Sequence, residues 1–264
     1  MQGASSTRRF IGLASFLAGS ALALSAMQAC ASGVTVGAGS SVDFGNASIN
    51  LGCADLNVAG GANANAAGVS GIANLAVAAG GTFAAGSSRI ALGGDFADTG
   101  TFAPGTGQML IGDACGNGVS HVTGGSAFYD LLVSSSVGKQ LVFPAGIAQS
   151  IAHAFALQGA AGNLLQVLSS TPGSKARLTV AAGAAQTIAY VNARDNDASA
   201  GATIAPGAPS AYHSVDAGNL VNWFGAAIGG NGGGAVPAPA LGHWAALLLA
   251  ALLATFAWRR SRLL

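Results

Sequence analysis

Residues 34–225 predict an all-β fold, a right-handed parallel β-solenoid of about ten rungs, on three observations. The first is recurrence at one period: Leu56-Asn57-Val58-Ala59-Gly60-Gly61 returns as Leu75-Ala76-Val77-Ala78-Ala79-Gly80, and Gly81-Thr82-Phe83-Ala84-Ala85-Gly86 returns as Gly100-Thr101-Phe102-Ala103-Pro104-Gly105. Both offsets are 19 residues, and two motifs with one period mark a repeat architecture. The second is alternation of apolar with small or polar residues, as in Ile49-Asn50-Leu51, Ile90-Ala91-Leu92 and Leu178-Thr179-Val180, which reads as strands with one face inward. The third is composition. Gly occupies 41 positions, there is no Glu, and only 7% of residues are charged against a usual quarter or so; small residues in this proportion suit a tightly wound backbone.

In chain order, residues 1–31 read as a signal peptide. Arg8 and Arg9 supply the positive start, Phe10 to Met27 the apolar stretch, and Ala29-Cys30-Ala31 the small-x-small site, with cleavage after Ala31. Thr7-Arg8-Arg9-Phe10-Ile11 also partly matches a twin-arginine signal, and Cys30 is a weak lipoprotein candidate. Cleavage there leaves Cys53 and Cys115, an even pair that in an oxidising compartment is a disulfide candidate, with two buried free thiols as the alternative.

Residues 32–225 form the extracellular body. Gly-Gly, Asn-Ala and Pro-Gly pairs separate its short strands, and rungs of about 19 residues would stack along one axis around small apolar side chains. The repeat decays after about residue 120 while strands persist, for example Leu131-Leu132-Val133, Leu141-Val142-Phe143 and Phe155-Ala156-Leu157. This half reads as the wider end of the same solenoid; a separate β-sandwich is the competing reading.

A Gly-rich linker, 226–235, leads to a tail at 236–264. From Leu241 to Trp258 the chain runs 18 residues without Asp, Glu, Lys or Arg, about 27 Å as a helix and just enough to span a bilayer. Trp244 and Trp258 stand where indoles favour the interface, and Arg259, Arg260 and Arg262 follow as a cytoplasmic stop.

Two resemblances follow from these residues. Val236-Pro237-Ala238-Pro239-Ala240-Leu241-Gly242-His243-Trp244, with its helix and arginines, resembles the IPTL-CTERM sorting domain of Gram-negative bacteria: Pro239, Leu241 and Trp244 are in register, while Ala238, Ala240 and Gly242 depart from it. The related PEP-CTERM class carries a Pro-Glu-Pro core that is absent here. The resemblance implies passage through the inner-membrane export machinery, a membrane-held precursor and processing by an exosortase-like protease. The body, in Gly94-Asp95-Phe96, Thr99-Gly100-Thr101-Phe102, Phe128-Tyr129-Asp130-Leu131 and Gly218-Asn219-Leu220-Val221-Asn222-Trp223-Phe224, resembles repeating surface β-helix proteins of bacteria. That implies a mostly non-enzymatic module at the envelope, cell surface or outside the cell, with a glycan or surface polymer as a possible partner.

The chemistry the sequence offers is sparse. A β-helix lyase or glycosidase needs paired acidic groups on one face; Asp95 and Asp113, 18 apart, with Asp98 nearby, are the available set, and turn capping is the plainer role. Asp195-Asn196-Asp197 is a weak calcium candidate without EF-hand spacing. His121, His153, His213 and His243 stand apart, and His213-Ser214 with Asp216 is too local for a triad. No cofactor is implied. Between Ser32 and Trp258 five basic residues face nine acidic ones, a net of 5 − 9 = −4, which argues against nucleic acid. The expected function is a non-enzymatic, exported surface solenoid serving adhesion, matrix or envelope scaffolding. The alternatives are a carbohydrate-active β-helix enzyme and an anchored glycan-binding module.

Overall fold

The structure is a computed structural model that describes residues 27–30 and 33–225 of the 264-residue chain. Those residues form an all-β parallel solenoid of about nine turns. Its helical content is two 3-10 turns, Ala114–Gly116 and Pro209–Tyr212. Named strands pair in parallel from rung to rung; the exception is Met27–Cys30, which lies antiparallel on Gly33–Val36 and so places a strand at the end of the segment expected to be a signal helix. Consistently parallel pairing rules out the β-sandwich reading, because sandwich sheets are built from antiparallel strands.

The 19-residue period is the length of the early rungs only. Leu56 lies beside Leu75, Thr82 beside Thr101 and Arg89 beside Gln108, each pair 19 apart in the chain. Later neighbours are Phe96 with Val122, Ala148 with Arg177 and Ala154 with Ala185, separations of 26, 29 and 31 residues. Longer turns consume more chain per rung, which is why the body holds about nine turns rather than ten. The glycine that opens both copies of the Gly-Thr-Phe motif has a steric cause: a Cβ on Gly81 would lie 2.3 Å from the Val58 carbonyl oxygen, and one on Gly100 2.2 Å from that of Ala78. Neighbouring rungs come too close there for a side chain.

Alternation along each strand becomes stacking along the axis. Ile72, Leu92, Ile111, Val133, Leu157 and Ile188 follow one another on successive rungs, all buried. A second stack runs Val42, Ala62, Phe83, Phe102. Phe96 fixes the centre, with ring centroids 5.2 Å from Phe102 and 5.6 Å from Phe128 in edge-on geometry; such pairs add about 0.5–1.5 kcal/mol beyond burial. At the far end Trp223 is fully buried, pairs with Ile204 and packs beside Phe224. Among the described residues no helix is long and apolar enough to cross a membrane. The linker 226–235 and the tail 236–264 lie outside the described residues, as does the signal segment apart from 27–30.

Candidate functional site

Three groups of side chains stand out on the solenoid. The first is a clasp. Cys53 and Cys115, 62 residues apart, form a disulfide with Cα atoms 5.4 Å apart. Cys53 occupies an irregularity in Ser48–Val58, where pairing with the next rung shifts between Asn50 and Ala54, and both cysteines hold positive φ, 66° and 61°. The tethered loop lies flat on Gly93, where a Cβ would come within 1.7 Å of the Ala114 carbonyl oxygen. Beneath it, Lys139 is fully buried and donates from Nζ to the carbonyls of Gly93, at 2.7 Å, and Asn117. Burial pushes the Lys139 ammonium below its ordinary pKa, while Asp113 and Asp95 pull the other way. Asp113 accepts from the Ser136 N–H at 2.7 Å and hydroxyl at 3.1 Å. Burial opposes its charge, but the Ser135 and Ser136 hydrogen bonds win and hold its carboxyl below the usual range. With no solvent access, Lys139 ties the loop down and reaches no substrate.

The second group is a ladder of side chains climbing the axis. Asp55 accepts from the Asn74 N–H and Nδ2 (3.1 and 2.8 Å), Asn74 Oδ1 from the Asp95 N–H (2.8 Å), and Asp95 Oδ1 from the His121 N–H (2.8 Å), with His121 Nδ1 3.1 Å away. Asp95 and Asp113, the pair considered for acid–base work, have separate partners, and Asp98 accepts from Ser126 Oγ at 2.9 Å. Asp43 and Asp216 cap their own turns at Gly45 and Gly218. Among the described residues no two carboxylates share a hydrogen bond, so the arrangement does not present a proton-sharing acid–base pair.

Asp195 and Asp197 separate in the same way. Asp195, buried at φ 57°, accepts from Asn219 Nδ2 (2.6 Å) and Gly173 N–H (3.1 Å), with Arg194 Nε 3.4 Å away. Burial raises its carboxyl, and these donors together with Arg194 and Lys175 bring it below the usual range. Asp197 accepts from the Ser199 N–H at 2.9 Å and lines an open depression with Lys175 and Arg177. Its carboxyl, raised by burial, is also held low overall by the Ser199 hydrogen bonds and the two cations. A carboxylate facing two cations is a poor calcium donor set, and among the described residues no cluster of three His, Cys, Asp or Glu could hold a metal.

The third group is a face three rows wide. Rung pairing aligns Arg89, Gln108 and Asp130 in one row, Ala91, Leu110, Leu132 and Ala156 in the next, and Ser134 with Gln158 in the third. Leu110 and Leu132 are half-buried although they point away from the core. Above them runs a groove of about 350 Å³, bounded on one side by Gly112 and Ala114 of the clasped loop. In the polar row Asp130, itself buried, accepts from Gln108 Nε2 at 3.0 Å and meets His153 Nδ1 at 2.8 Å. A register shift between Phe128 and Asp130 adds a residue opposite Tyr129 and brings His153 over it, rings 4.6 Å apart and 10° from parallel. The result is a rigid, exposed imidazole. No described serine, threonine or cysteine hydrogen-bonds it, so a nucleophile–base pair is not formed.

The remaining sequence candidates are placed as follows. His213 stacks on Tyr190 at 4.9 Å, Ser214 Oγ bridges the Val191 N–H and the Tyr212 carbonyl, and Asp216 serves its own turn, so the three do not meet. Ala29 belongs to the strand Met27–Cys30. Ala31, His243 and the sorting residues Val236, Pro237, Pro239, Leu241, Trp244, Arg259, Arg260 and Arg262 lie outside the described residues. Sequence reasoning missed Lys139, which looks like an ordinary turn lysine after Ser134-Ser135-Ser136-Val137-Gly138. It also missed Asp130–His153, whose 23-residue separation departs from the 19-residue period. Comparison of the chain with family models, curated proteins and solved structures found no match. The class that stands is the fold class, a parallel β-solenoid.

Proposed function

We propose that this chain is an exported, non-enzymatic surface protein of a Gram-negative envelope, a stiff right-handed solenoid used for adhesion, matrix building or envelope scaffolding. The observation that carries this reading is the fate of its ionisable groups. Asp43, Asp55, Asp95, Asp98, Asp113, Asp195, Asp197 and Asp216 bond turns, neighbouring rungs or loops, and Lys139 is sealed under the disulfide loop. Groups spent on holding the backbone are those of a scaffold. The disulfide accords with an oxidising compartment outside the cytoplasm.

Delivery is assigned to the two ends. Residues 1–31 direct export through the inner membrane, and 236–264, with the helix 241–258, hold the precursor there until an exosortase-like protease acts at the Pro239 box. Deleting 236–264 should leave export intact and abolish envelope retention, read by fractionation; unchanged retention sinks the assignment. The intact mass of the envelope form reads both cleavage points, with removal after Ala31 expected.

The Asp130–His153 contact favours one second reading, a carbohydrate-active enzyme using His153 as base. Polysaccharide turnover lost in His153→Ala would establish it. No turnover by the parent protein removes it.

A further inference from the structure

We infer that the groove floored by Ala91, Leu110, Leu132 and Ala156 is a binding site for an uncharged, extended oligosaccharide running along the solenoid axis. The inference rests on the surface-protein reading and adds its ligand class. Outward positions of a solvated sheet are ordinarily polar, yet four successive rungs place apolar side chains side by side here, with Leu110 and Leu132 at the centre. The flanking rows are hydrogen-bonding: Arg89, Gln108 and Asp130 on one side, Ser134 and Gln158 on the other.

The floor is too small for a protein partner. Rungs repeat at about 4.8 Å, so four span roughly 15 Å by one side-chain row, far below the roughly 800 Å² per partner of a stable dimer. A peptide cannot add as a strand, because the floor strands already pair on both sides with neighbouring rungs. Charge narrows the occupant further. The polar row carries one cation, Arg89, and one anion, Asp130, whose oxygens are held by Gln108 and His153. A balanced rail on a body with nine acidic and five basic residues complements an uncharged chain rather than a polyanion or a polycation. A chain with hydroxyls along its edges and C–H surface on its faces meets the rails and the floor together.

Calorimetric titration of the full chain in a zwitterionic detergent with neutral β-linked and α-linked hexasaccharides tests this, with polyuronate and an unstructured peptide as controls. Binding of at least one neutral hexasaccharide is expected, weakened tenfold or more by Leu110→Gln with Leu132→Gln and several-fold by Gln108→Ala, at unchanged melting temperature. Absence of binding by every hexasaccharide overturns the inference, as does binding indifferent to the double substitution or tighter binding of the polyuronate or the peptide. If envelope fractionation fails while sugar binding holds, the surface reading falls and the groove assignment stands.

Discussion

The ammonium of Lys139 donates to the carbonyl of Asn117 from beneath a loop whose own Cys115 is bonded to Cys53, so one loop is fastened from both sides. The two fastenings act differently. The disulfide restricts the unfolded chain, whereas the lysine satisfies carbonyls that would otherwise be buried without partners.

Replacing Lys139 with Met should therefore destabilise the body despite the similar volume. The Gly93 and Asn117 carbonyls lose their donor, at a cost of about 1–3 kcal/mol for each group left unsatisfied. Thermal melting of the variant at neutral pH checks this. An unchanged midpoint would mean the loop stays in place without the amine.

Reduction, or Cys53→Ser with Cys115→Ser, should cost roughly 4 kcal/mol, the loop-closure value for a crosslink spanning about 60 residues. For a body of this size that is a fall of about 8–16 °C in melting temperature. Reduction should also expose Lys139 to amine acylation, read by peptide mass mapping. Equal acylation before and after reduction would show that the disulfide does not shield it.

Gly93→Ala tests the fit of the same loop. A Cβ 1.7 Å from the Ala114 carbonyl oxygen must displace it, so the variant should show free thiols at Cys53 and Cys115 after folding under mild oxidation. A full disulfide yield would show that the loop can lift without losing its bond.

Acid should weaken the body through Asp113, Asp195 and Asp197. Their carboxyls are held below the ordinary range when folded, so the unfolded chain binds more protons in the window below about pH 4, and stability rises with pH there. The contribution is complete above the unfolded value near 3.9 and is lost as pH falls through the folded values. Melting temperature followed from pH 7 to 3 should drop most steeply at the acid end, and Asp195→Asn should flatten that slope.

Much of the solenoid was legible because its strands announce themselves locally. Ile90-Ala91-Leu92 alternates in the sequence and alternates in burial. The 19-residue period was legible only where the turns are short, since Gly81 and Gly100 fix a minimal rung by backbone contact. Beyond residue 120 longer turns break the period while the inward stack from Ile111 to Val133, Leu157 and Ile188 continues. The groove was hidden for a related reason. Ala91, Leu110, Leu132 and Ala156 are separated by 19, 22 and 24 residues, and no fixed spacing links them.

The sequence by itself determined that the chain is β-rich and repetitive, that its core is made of alternating small apolar residues, and that the body is short of charge. Those are properties of single strands and of composition, written within a few residues. Only the tertiary structure decided which rung meets which, and with it the Cys53–Cys115 bond, the burial of Lys139 and the Asp130–His153 contact. The reason is physical: a solenoid brings side chains together across a turn, and the length of each turn is free to vary while strand spacing is held by backbone hydrogen bonds.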